Sequence, residues 1–228
     1  MNIADRVNMV KHQLARAAES SGRTPECIQL VAVSKYQPAE RVLEAYNAGC
    51  RHFGENYVQE AANKRAQLGA MTDATWHLIG GVQSNKSALA AHTFDVIQTV
   101  DRAKLAVALS DAASGKGKVI QVLLQVDLTG ADGRSGCAPA EIPALVDLVM
   151  QRPGLQLRGL MAMAPAGIGA DATRKAFASV RALHDALPAQ CQGVLSMGMS
   201  GDFPLAIAEG ATVVRVGTAI FGERPMVS

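Results

Sequence analysis

The sequence predicts an α/β fold, a single (β/α)8 TIM-type barrel with an extra N-terminal helix. Three observations carry that expectation. Short apolar, β-branched runs alternate with longer helical patterns, eight such runs can be counted, and no Pro/Ser-rich linker interrupts the rhythm. The chain has 228 residues, a length that single α/β barrels commonly reach, so residues 1–228 read as one domain.

The first segment repeats apolar residues at Ile3, Val7, Val10, Leu14 and Ala18, a helical stripe that stops near Gly22, where GRTP reads as a loop. The strand-like runs follow at 30–36, 52–57, 76–81, 96–100, 119–128, 157–164, 193–200 and 212–218. Between them lie helical stretches such as 38–49, 101–115, 139–151 and 173–187. Strand followed by helix, repeated, implies parallel strands with right-handed crossovers, and near-continuous apolar strands suit a sheet covered on both faces. An open doubly wound sheet is the competing fold. It fits poorly with eight evenly spaced units and with the lack of GxGxxG after the first strand.

Composition narrows the function. Hydrophobic residues make up 49 %, aromatics only 4 %, and the formal net charge is +2 with no basic block, so a nucleic-acid partner is not expected. Cys27, Cys50, Cys137 and Cys191 are widely separated and form no CxxC pair, which argues against a metal knuckle or a disulfide framework. The charged N-terminus lacks an apolar signal-peptide core, and no stretch approaches a membrane span. A soluble, reduced, cytoplasmic protein is expected, without membrane contact. No strong dimerisation signal is present, so it reads as a monomer.

Lys35 closes the apolar run LVAVS (30–34), which would put it at the C-terminal mouth of the first strand. Partial desolvation there lowers an ammonium's pKa and frees the amine to attack an aldehyde. The plainer reading is a lysine that snorkels to solvent. None of Lys11, Lys64, Lys86, Lys104, Lys116, Lys118 and Lys175 ends a buried strand, although Lys86 opens a helix after the third strand. At the other end of the chain, SMGMSG (196–201) closes the seventh strand and RVGT (215–218) closes the eighth. Loops after strands seven and eight often hold a phosphate, because small residues let the backbone approach while hydroxyls and N–H groups donate. With a lysine on strand one, this suggests a phosphorylated aldehyde. Asn56 and His77 are expected at the mouth or in the barrel interior, with a hydrogen-bonded core histidine as an equal reading of His77. Glu55 and Tyr57 alternate with Asn56 and so would face the helices. Trp76 reads as packing.

Six stretches resemble a known family. They are VAVSKYQP (31–38), HFGENYVQE (52–60), WHLIGGVQSNK (76–86), GLMAMAP (159–165), LSMGMSGDFPLAIAEGAT (195–212) and VRVGTAIFGER (214–224). In this order, covering nearly the whole chain, they resemble the pyridoxal 5′-phosphate (PLP) homeostasis proteins, related in fold to the barrel half of alanine racemase. The resemblance implies that PLP is the cofactor and that Lys35 holds it as a Schiff base. It also implies that Arg215 lies beside the pyridine nitrogen, and that Ser200, Gly217 and Thr218 take the phosphate with Ser196 or Met199 nearby; Gly201 is a further cofactor-binding candidate. Phe221 stands where the racemase segment has tyrosine, and Arg134 stands where family members often carry lysine.

An arginine cannot accept a proton, so a pyridine nitrogen beside Arg215 stays unprotonated and the ring is a weak electron sink. A racemase further needs a second acid or base on the opposite face of the substrate, and Tyr36, Tyr46 and Tyr57 are not obviously placed for it. No second domain is expected after residue 217. These points favour a protein that takes up, buffers and releases PLP within vitamin B6 homeostasis, with PLP-dependent apo-enzymes as acceptors and no turnover of its own. A PLP-dependent amino-acid racemase or lyase, and a PLP-free Schiff-base aldolase, are the alternatives.

Overall fold

The computed structural model describes residues 1–69, 71–129 and 135–223. The expectation about Arg134 lies outside these residues. The chain opens with helix α1 (Ile3–Ser20), started by a capping box in which the Asn2 side chain accepts from the Asp5 N–H at 2.8 Å. Its buried stripe is Ile3, Val7, Val10, Leu14 and Ala18, the five positions read from the sequence.

Eight strands then alternate with helices. They are β1 (Gln29–Val33), β2 (His52–Glu55), β3 (Thr75–Leu78), β4 (Val96–Val100), β5 (Ile120–Val126), β6 (Leu155–Ala162), β7 (Val194–Ser196) and β8 (Val213–Val216). All pairings are parallel and β8 returns to β1, so the sheet is a closed barrel. The intervening helices are α2 (Ala39–Asn47), α3 (Val58–Gln67), α4 (Ser87–Thr93), α5 (Ala103–Ser114), α6 (Ile142–Met150), α7 (Ala170–Asp185) and α8 (Phe203–Ala208). Among the described residues, β8 is followed by the four-residue α9 (Thr218–Phe221). Helix α1 packs against α2, α8 and α9, and so fills the place in the outer ring that α9 is too short to cover.

Several strands stop earlier than the apolar runs suggest. β1 ends at Val33 rather than at residue 36, and β7 ends at Ser196 rather than at residue 200. At the mouth the chain leaves the sheet for turns while still apolar, so apolarity alone overruns the ladder. Lys35 accordingly sits in the turn two residues past β1. Close backbone approach shapes two other points. A Cβ on Gly159 would lie 1.8 Å from the Val194 carbonyl oxygen, and one on Gly80 would lie 2.3 Å from that of Asn56. Gly159 sits where β5 and β6 shift register. Trp76 is buried against Phe53 with ring centroids 5.6 Å apart, the packing role expected of it. Among the described residues no helix is long and apolar enough to cross a membrane.

Candidate functional site

A cavity of about 400 Å³ opens at the C-terminal end of the barrel. Turns and strand ends from around the ring line it: Val33 and Lys35 after β1, Asn56 after β2, Gly80 after β3, Gln125 on β5 and Met163 after β6. Met199, Ser200 and Gly201 after β7 complete it with Arg215, Gly217 and Thr218 from β8 onward. Of the residues expected at a site, this one cavity gathers Lys35, Asn56, Met199, Ser200, Gly201, Arg215, Gly217 and Thr218. Lys35 is half-buried and, among the described residues, is the one lysine on the lining.

Arg215 is buried, with 3 % of its surface exposed. Its Nη1 donates to Ser196 Oγ at 2.7 Å and its Nη2 to the Ala162 carbonyl at 2.9 Å. Burial lowers its pKa to about 10, with Asp202 acting in the opposite direction, so it remains a cation at neutral pH. Ser196 does not line the cavity. It lies beneath Arg215, accepting from it and donating to Gln98 Oε1 at 2.7 Å.

His77 lies away from the cavity. It lines a second hollow of about 340 Å³ at the N-terminal end of the barrel, together with His52, Gln98 and Arg158. Gln98 presents its amide N–H to His77 Nδ1 at 3.0 Å, so Nε2 carries the hydrogen and faces His52 Nδ1 at 3.1 Å. Burial, with His52 close by, pushes the His77 pKa down to about 3. It is a satisfied neutral core histidine. The reason is register: His77 faces inward one residue before the end of β3, below the level of the mouth.

Lys86 is exposed and lies off the cavity lining, and Phe221 is buried off it. Tyr57 is exposed at the mouth rather than facing the helices, its hydroxyl bonded to that of Tyr36 and the rings 5.4 Å apart. Glu55 does face the helix layer, where Lys64 Nζ lies 2.7 Å from its Oε1. Burial raises the Glu55 pKa, with Lys64 and Ser34 opposing that rise.

Two features of the site were missed from sequence. Gln125 turns its buried Oε1 into the cavity wall with no protein donor among the described residues, while its Nε2 donates to the Ser135 carbonyl at 3.0 Å. Its only sequence signal was a polar residue inside an otherwise apolar strand. Lys64 was set aside because it ends no buried strand, and its signal was Glu60 four residues earlier.

The cavity is also rich in unused donors. Among the described residues the backbone N–H groups of Ser200, Gly201 and Thr218 donate to no protein acceptor. Gly217 lets the chain pass close to β1, since a Cβ there would stand 3.3 Å from the Val33 carbonyl oxygen. The arrangement therefore offers one amine, a buried guanidinium from the neighbouring strand β8, and a cluster of N–H and hydroxyl donors suited to a phosphate.

Comparison with known proteins gives a consistent picture. The family model described as "Alanine racemase, N-terminal domain" matches residues 7–225. The chain is 46 % identical over 222 residues to the pyridoxal phosphate homeostasis protein of Pseudomonas aeruginosa, covering 97 % of this chain and 96 % of that one. It is 41 % identical over 233 residues to the pyridoxal phosphate homeostasis protein of Escherichia coli, covering 98 % and 97 %. The structure of PipY from Synechococcus elongatus with PLP bound matches at a TM-score of 0.83 and 43 % identity, over 97 % of this chain and all of that one. Alanine racemase from Bartonella henselae matches at 0.70 with 20 % identity, over 99 % of this chain and 60 % of that one, a likeness of fold.

Proposed function

The chain belongs to the alanine racemase N-terminal-domain family, among its pyridoxal phosphate homeostasis proteins, and from that premise we propose that it holds PLP on Lys35 and releases it to acceptors. The observation that carries the reading is the composition of one cavity, where, among the described residues, a single lysine, a buried arginine and unused backbone donors are brought together by the neighbouring strands β7, β8 and β1. When bound, PLP supplies an aldehyde that a lysine amine can take up as a Schiff base. The chain's own residues then have separate tasks. Lys35 provides the amine. Ser200, Gly201, Gly217 and Thr218 receive the phosphate, and Asn56 and Met199 border the ring. Ser196 holds the Arg215 guanidinium, which meets the pyridine nitrogen as a donor.

The same arginine argues for holding rather than turnover. It stays protonated, offers no acceptor and leaves the pyridine nitrogen without a proton, so carbanion chemistry gains little from the ring. We read the protein as a monomeric cytoplasmic carrier with PLP-dependent apo-enzymes as acceptors. Adding PLP to the purified protein and recording visible absorbance tests the holding step, and a protein that stays colourless would refute it. Incubating the loaded protein with a panel of amino acids in deuterated water tests the carrier step. No enzyme-like exchange at the α-carbon is expected, and exchange at an enzyme-like rate would make it a racemase.

A further inference from the structure

The turn that carries Lys35 is gripped from behind by a buried group that never reaches the cavity. Lys64 on α3 has 6 % of its surface exposed, and its Nζ makes three short contacts. It donates to the Ser34 carbonyl oxygen at 2.7 Å, to Glu55 Oε1 at 2.7 Å and to Glu60 Oε1 at 2.6 Å. An ammonium has three donors, and all three are taken. The two carboxylates return to the same turn. Ser34 Oγ donates to Glu55 Oε1 at 2.7 Å, and the Tyr36 backbone N–H donates to Glu60 Oε1 at 2.6 Å. On the other side, the Ser34 N–H donates to the Gly54 carbonyl at 2.9 Å. Both neighbours of Lys35 in the chain are thus tied to one ammonium and its two partners.

The tie matters because the turn is not a relaxed one. Tyr36 has φ +62°, the left-handed region that an aromatic residue avoids unless its surroundings hold it there. Glu60, by accepting the Tyr36 N–H, is one of the groups that hold it. A buried ion pair also adds little net stability compared with an apolar substitute of similar size. What it supplies is direction, because three acceptors at fixed positions admit one placement of the ammonium and hence of the turn.

We propose that Lys64, through Glu55 and Glu60, is a positioning residue for Lys35, locking residues 34–36 so that the Lys35 amine stays aimed into the cavity and bound PLP is lost slowly. This rests on the PLP reading above. Release consumes one water, returning the amine to Lys35 and the aldehyde oxygen to PLP. A turn free to swing would expose that bond to water and let the freed amine drift from the aldehyde before it could close again.

The test compares wild type with Lys64→Met, and with Glu60→Ala as a milder variant at a partly exposed carboxylate. Amide hydrogen exchange of the segment around Tyr36 is followed in the PLP-free protein. The release rate of PLP and the pH midpoint of the visible band are followed in the loaded one. Exchange in that segment and PLP release are expected to quicken by about tenfold in Lys64→Met, the equivalent of one lost charge-assisted hydrogen bond. Glu60→Ala should move both in the same direction, and the pH midpoint should shift in each variant. If the melting temperature falls while exchange, release and pH midpoint match wild type, the network is a brace for the fold and the proposal is wrong. A wild type that takes up no PLP would instead refute the PLP reading, and local exchange in the PLP-free variants would still decide whether Lys64 holds the turn.

Discussion

The two ends of the barrel both carry polar side chains, and they use most of them differently. At the N-terminal end, Gln98, His77 and His52 bond to one another in a single direction, each donor matched by the next acceptor, and of the neighbouring side chains Arg158 keeps a buried Nε without a protein partner among the described residues. At the C-terminal mouth, the N–H groups of Ser200, Gly201 and Thr218, and the buried Oε1 of Gln125, have no protein partner among the described residues. Polar groups that satisfy each other stabilise a core, whereas polar groups that converge on a cavity unsatisfied are arranged for something that enters it. Ser196 joins the two regions, accepting from Arg215 on the cavity side and donating to Gln98 on the core side. Arg215 is therefore held from below by the bonded chain of Ser196, Gln98 and His77 and faces the open end.

Substitutions can break this contrast. Lys35→Ala should have the largest effect, abolishing the visible band on PLP addition while the circular dichroism spectrum is unchanged, since no other lysine lines the cavity among the described residues. Arg215→Leu should weaken PLP binding by about ten- to a hundredfold in an equilibrium titration, the range for a hydrogen bond to a charged group.

The N-terminal end should respond in stability instead. His77 has its pKa pushed to about 3 from an ordinary 6.5. Above 6.5 neither the folded nor the unfolded chain takes a proton there, and its contribution is complete. As the pH falls from 6.5 toward 3 the unfolded chain binds the proton first, so stability drops by up to about 1.4 kcal/mol per pH unit. Acid denaturation of the PLP-free protein should show that slope, and His77→Gln should flatten it. The smallest effect belongs to Thr218→Ala, an exposed hydroxyl at the mouth. PLP affinity should fall only a few-fold, about 0.5–1.5 kcal/mol, with the melting temperature unmoved. A Thr218 variant that lost stability, or a His77 variant that lost PLP affinity but not stability, would reverse the roles of the two ends.

Much of this was legible in the sequence. The barrel followed from the alternation of periods, and the α1 stripe was read residue by residue, because an amphipathic helix on a core leaves an unambiguous pattern. The mouth residues were legible because glycine, serine and a strand-end lysine are unusual together. His77 was harder. Facing inward is visible from alternation, but height along the barrel axis depends on stagger between strands, which one strand's sequence does not carry. Lys64 was missed for a related reason. In VQEAANKRAQ a lysine reads as a solvated helix residue, and only the fold reveals Glu55 and the Ser34 carbonyl waiting at its end.

The most direct test of the central claim is chemical trapping. The protein is incubated with PLP, reduced with borohydride, digested and mapped by mass spectrometry. The account predicts a reduced pyridoxyl-phosphate adduct on the peptide containing Lys35, near one per chain and missing from Lys35→Ala. An adduct confined to another lysine, such as the exposed Lys86, or no adduct under conditions where free PLP is in excess, would contradict it.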